Sequence, residues 1–103
     1  KAEITAFQSN SEGELITAIQ QARGVCDGLI INAGAYSHYS YAIRDAIEAA
    51  EVPTVEVHLS NIHKRDEFRH KSVLSEVCDG VICGLGKHGY AFAALYLINK
   101  LTN

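Results

Sequence analysis

Val55-Glu56-Val57-His58-Leu59-Ser60-Asn61-Ile62-His63 decides how this chain is read. A β-branched strand, opened by Pro53 and Thr54, runs straight into a loop carrying two histidines, a serine and an asparagine. In open α/β sheets ligands sit beyond the carboxyl ends of the strands, and a histidine placed there can exchange a proton near neutral pH. His58 is therefore the first candidate for chemistry.

Two further runs match this strand. Gly28-Leu29-Ile30-Ile31 and Gly80-Val81-Ile82-Cys83 are short and continuously apolar, the form of strands buried on both faces of a parallel sheet. Helical spacing fills the intervals. Ser11 and Glu14 fit a capping box, and Leu15, Ala18, Ile19 and Ala22 form a stripe that stops at Gly24, which predicts a helix from Glu12 to Arg23. A second helix is expected over Tyr39 to Ala50, with Ala42, Ile43, Ala46, Ile47 and Ala50 on one side. A third is expected over His88 to Leu101, with Ala91, Ala94, Leu95, Ile98 and Leu101 inward. Ala2 to Phe7 alternates in the manner of a half-buried strand. The polar stretch Asn61 to Lys71 lacks a helical period; single turns are expected at Arg65 to Phe68 and Val73 to Val77. Strands alternating with helices imply right-handed crossovers and a flavodoxin-like three-layer α/β sandwich, one domain over residues 1–103.

Composition narrows the function classes. The net charge is −3 and no basic run could follow a phosphate backbone, so nucleic acid is not expected as a partner. No apolar run approaches the roughly 20 residues that span a bilayer, so no membrane partner is expected and the chain reads as soluble and cytoplasmic. Cys26, Cys78 and Cys83 are odd in number and lie in apolar contexts, as reduced thiols packed like small hydrophobes would. The chain opens with Lys1 rather than Met and enters a strand at once, so a segment upstream is expected.

With three parallel strands, the loops after Ile31, Val57 and Cys83 emerge at one sheet edge. Asn32, Gly34, His38, His58, Ser60, Asn61 and Arg69 converge there, a set suited to a small, hydroxylated anion. Gly84-Leu85-Gly86-Lys87-His88-Gly89 spells a dinucleotide fingerprint but opens the last helix without a ribose-binding context, and it reads as a tight turn plus helix start. The spacings of His58, His63 and His70 match no zinc signature, and no metal or cofactor is expected. Ser60 sits in no nucleophile elbow and suits anion binding through its N–H and hydroxyl. Taken singly, His38 and Arg69 also read as a helix-terminal polar residue and a solvated cation, and Asp45 and Glu48 as a solvated helix face or a subunit contact. A non-catalytic flavodoxin-like anion-binding or regulatory domain stands as the alternative to an enzyme.

Several motifs in order carry a resemblance. Asn32-Ala-Gly-Ala-Tyr-Ser-His38, Ala42-Ile-Arg-Asp-Ala46, Val55 to His63, Glu67-Phe-Arg-His70 and Gly80-Val-Ile-Cys-Gly-Leu-Gly86 together resemble type II 3-dehydroquinate dehydratase, along essentially the whole chain. The resemblance implies a cofactor-free and metal-free lyase that removes water from 3-dehydroquinate in the shikimate pathway or in quinate metabolism. A tyrosine base, assisted by an arginine on a lid, takes a proton beside the ketone; an enolate forms, and a histidine acid helps the tertiary hydroxyl leave. It implies His58 as that acid and Asn32 as the residue stabilising the enolate through an ordered water. Leu59 and Ser60 would hold the substrate carboxylate, His38 and Arg69 the ring hydroxyls, and Asp45 would lie near the site through a neighbouring subunit. Glu56 is suited to orient His58, with Gly34 supporting. The family's first, central strand, its Asn-Gly-Pro-Asn-Leu-Asn loop and its lid find no match in this chain, and none of Tyr36, Tyr39 and Tyr41 matches the base. The expectations that follow are an N-terminal segment of the same protein, about 40 to 50 residues long, and inactivity of the chain without it. The expected assembly is a homododecamer, a tetramer of trimers.

Overall fold

The computed structural model describes residues 2–102. Three strands, β1 (Leu29–Ile31), β2 (Thr54–His58) and β3 (Gly80–Cys83), form one parallel sheet in the order β1-β2-β3. Leu29 lies opposite Thr54, Val55 opposite Gly80 and His58 opposite Cys83, so all three carboxyl ends reach the same edge. The helices are α1 (Glu12–Ala22), α2 (Tyr41–Ala50) and α3 (His88–Thr102). None of the helices among the described residues is long and apolar enough to cross a membrane.

The period of two along the strands sorts the core into two layers. Ile31 meets Ile19 of α1, Ile43, Ala46 and Ile47 of α2, and Val73 and Leu74 from the β2–β3 connection. On the opposite face Val55 and Val57 meet Ala93 and Leu97 of α3, with Ile30 and Ile82 at the margin. Every residue of β2 is buried. Its polar members Thr54, Glu56 and His58 therefore alternate with the two valines that α3 covers.

Capping fixes where the helices start. The Ser11 hydroxyl accepts the Glu14 N–H at 3.2 Å, while the Glu14 carboxylate takes a bond from the Ser9 hydroxyl, so the expected box closes one residue pair further out. Ser40 caps α2 in the same way, accepting from Ile43 N–H at 3.1 Å. The expected start at Tyr39 moves to Tyr41 because Gly34–His38 winds into a tight 3₁₀ turn first. In the β2–β3 connection, turns form at Ile62–Lys64, Glu67–Arg69 and Ser75–Val77.

Four expectations are corrected. Ala2 to Phe7 is not a strand: those residues are exposed throughout, and no described strand lies alongside to take their ladder bonds. Ala42 of α2 is exposed. The inward face of α3 is Gly89, Ala93 and Leu97; Ala91, Leu95, Ile98 and Leu101 are exposed. α3 is apolar on more than one side, so its period could not select the buried stripe. A close approach selects it: a Cβ on Gly89 would stand 3.1 Å from Val57 Cγ1. The three cysteines are free thiols, but Cys26 is exposed rather than packed.

Candidate active site

At the carboxyl end of β2 the His58 ring is buried and its Nε2 lies 2.5 Å from Glu56 Oε2. Residues two apart on a strand share a face, which is why Glu56 can reach His58 at all. The Glu56 carboxylate has no solvent exposure. Two hydroxyls also donate to it: Ser72 to Oε2 at 2.6 Å and Ser75 to Oε1 at 2.8 Å. Burial pushes this carboxyl up, but the bonds from His58, Ser72 and Ser75, with the attraction of His58, outweigh it and hold the group below its ordinary value.

His38, at the end of the Gly34–His38 turn, stacks beside His58 with ring centroids 6.1 Å apart. Its Nδ1 donates to the Lys71 carbonyl at 2.7 Å, which leaves Nε2 for other partners. Phe68 stands edge-on to the same ring, and the Arg69 guanidinium lies over Phe68 at 4.7 Å. Arg69 Nε is buried without a hydrogen bond, 3.7 Å from Asp66 Oδ2. The sequence-predicted His38, His58 and Arg69 are thus brought into one cluster, bridged by Phe68.

Asn32 follows β1 and is fixed at both ends. Its Oδ1 accepts the Gly34 N–H at 3.1 Å and its Nδ2 donates to the Tyr90 hydroxyl at 2.9 Å. Gly34 holds φ at +58°, a left-handed conformation that its lack of a Cβ permits. Beyond His58, the chain is clasped by the Gly84–Gly86 turn: Gly84 N–H donates to the His58 carbonyl and Gly86 N–H to the Leu59 carbonyl at 2.9 Å. Both glycines have positive φ, so the expected tight turn and helix start is what this glycine run forms. Leu59 and Ser60 are exposed, and neither backbone N–H donates to a backbone carbonyl among the described residues.

The other candidates are engaged locally or exposed. Asn61 accepts the His63 N–H and caps the turn that follows it. His63 and His70 have ring centroids 5.8 Å apart, and His70 Nε2 donates to the Arg65 carbonyl. Among the described residues no group of three or more His, Cys, Asp and Glu could hold a metal ion. Asp45 is exposed on α2. Tyr90, Ser72 and Ser75 are contacts that sequence reasoning missed. Ser72 and Ser75 lie 16 and 19 residues from Glu56, and no local pattern links them to it.

The chain is similar to known proteins along nearly its whole length. A family model described as dehydroquinase class II matches residues 1–98. The chain is 57% identical over 99 residues to a 3-dehydroquinate dehydratase of Thermotoga petrophila, covering 96% of this chain and 67% of that protein. It is 54% identical over 98 residues to one of Bacillus pumilus, covering 95% and 67%. The crystal structure of a type II dehydroquinase from Butyrivibrio crossotus superposes with a TM-score of 0.86 at 50% identity, covering 88% of this chain and 64% of that one. The chain thus spans about two thirds of the length of the relatives it matches. With a matching family model along nearly its whole length and a sheet edge that gathers Asn32, His38 and a carboxylate-held His58, the chain belongs to the class II dehydroquinase family.

Proposed function

We propose that the protein catalyses the dehydration of 3-dehydroquinate to 3-dehydroshikimate by an anti elimination through an enolate. The observation that carries this reading is the His58–Glu56 pair, buried at the carboxyl end of the central strand of the described sheet, beside the unengaged N–H groups of Leu59 and Ser60. A tertiary hydroxyl leaves only if it is protonated as its C–O bond breaks, so a positioned acid is the chemical requirement. With Nε2 turned to Glu56, the His58 proton goes to the departing oxygen from Nδ1.

The remaining roles follow from position. The Leu59 and Ser60 N–H groups and the Ser60 hydroxyl suit a carboxylate. The Asn32 amide, held by Gly34 and Tyr90, faces the enolate oxygen through a water. His38 Nε2 and the Arg69 guanidinium bind ring hydroxyls. We assign the proton-abstracting base to none of Tyr36, Tyr39 and Tyr41. The dodecamer belongs to the same reading, with the exposed Asp45 and Glu48 of α2 as its expected subunit contact.

Formation of the product enone, followed by its absorbance with the intact protein, tests the activity. His58→Ala should lower turnover by about 10²–10⁴-fold while substrate binding persists. A near-normal rate removes His58 from the acid role, and an intact wild-type protein that binds 3-dehydroquinate without ever dehydrating it overturns the reading.

A further inference from the structure

We infer that Ser72 and Ser75 are positioning residues that set which nitrogen of His58 carries its proton, by donating a hydrogen bond to each oxygen of Glu56. The inference rests on the acid role given to His58 above.

The directions of the hydrogen bonds carry it. Ser72 Oγ accepts the Leu74 N–H at 3.1 Å, so its own hydrogen is free to point at Glu56 Oε2, 2.6 Å away. Ser75 Oγ reaches the other oxygen. A fully buried carboxyl with no such donors would become neutral, because burial penalises the charged form. It could then donate to His58 Nε2 and force the ring hydrogen onto Nδ1. With two hydroxyls already donating, the carboxylate can only accept, and the hydrogen between Glu56 and His58 resides on Nε2. Nδ1 is then left bare in the neutral ring and becomes the proton-carrying atom only when the ring is charged, the state an acid must cycle through.

The same segment reaches the rest of the site. Lys71 presents its carbonyl to His38, and Val73 is fastened at both groups, its N–H donating to the Ser37 carbonyl at 2.8 Å and its carbonyl accepting from Arg44 Nη1 at 3.1 Å. Residues 71–75 therefore act as a strap that sets both histidines from behind. The other ionisable groups around Glu56 are few. His38 stacks beside His58, the Cys78 thiol feels the Glu56 charge, and Arg44 is paired with Glu76 at 3.5 Å.

Ring-nitrogen NMR of His58, together with kcat and KM against pH, tests this in the intact protein. The wild type should show Nε2 protonated and Nδ1 bare in the neutral ring. In Ser72→Ala/Ser75→Ala the Nε2–H signature should be lost. kcat should fall by about 10- to 100-fold, the scale known for removing the partner that orients a metal-bound histidine. KM should change less than about threefold, and the acid limb of the kcat profile should move to higher pH as Glu56 protonates more readily. Ser72→Thr, which keeps the hydroxyl, should restore both signals; the single alanine variants serve where the double one does not fold. An unchanged tautomer, or a rate loss equal at every pH with no restoration by threonine, overturns the inference. A wild type that shows the tautomer but no turnover would instead sink the dehydratase reading alone.

Discussion

Glu56 shows how far one buried charge reaches. It holds His58 on one side and two serines on the other, and its field is felt at Cys78, whose thiol is pushed up to about 12 by burial first, with Glu56 and Asp79 adding to it. A thiol is nucleophilic only as the thiolate, so Cys78 should resist alkylation at neutral pH while the exposed Cys26 reacts first. Peptide mapping after brief iodoacetamide treatment checks the order; Cys78 modified ahead of Cys26 would contradict it. Glu56→Gln keeps the size of the side chain but meets two hydroxyls and an imidazole with an amide that has only one acceptor. It should cost about 1–3 kcal/mol in urea unfolding, since at least one buried polar group loses its partner.

At the scale of elements, the decisive approach is that of α3 to β2. Gly89 lies under Val57 and Ile82 with no room for a branched side chain, so Gly89→Val should push α3 off the sheet and destabilise the fold by about 1–3 kcal/mol, measurable as a lowered thermal midpoint. A midpoint equal to the wild type would show that α3 can shift freely. This contact also explains what the sequence could and could not reveal. The sheet, its parallel sense and the helices were legible, because β-branched runs and apolar stripes are local signals. The buried stripe of α3 was not, because Leu95, Ile98 and Leu101 are as apolar as Ala93 and Leu97, and only the missing Cβ at Gly89 chooses between faces. The strand pattern of Ala2 to Phe7 is likewise local, whereas a strand exists only where a neighbour accepts its bonds. The placement of His58, Asn32 and His38 at one sheet edge was legible from strand ends and motif. Tyr90, Ser72 and Ser75 were not, since their partners are brought to them only by the crossovers.

For the whole molecule, the buried carboxylate ties stability to acidity. Glu56 is held below its ordinary value near 4.5 in the folded protein, so its contribution is fully present above that value and fades as the pH falls through the depressed one. Acid unfolding followed by circular dichroism should therefore set in below the ordinary carboxylate range, and Ser72→Ala should move its midpoint upward. A midpoint unmoved by that substitution would mean that other groups govern acid stability. The alternation along β2 has one more consequence. Val55 and Val57 anchor the strand in the α3 layer while Glu56 and His58, on the same five residues, face the other. No loop motion can separate His58 from the Glu56 carboxylate, because the two ride on a strand whose every residue is buried. Amide exchange at Val57 would then serve as a clock for the pair: His58 and Glu56 are parted only as often as the molecule itself comes apart.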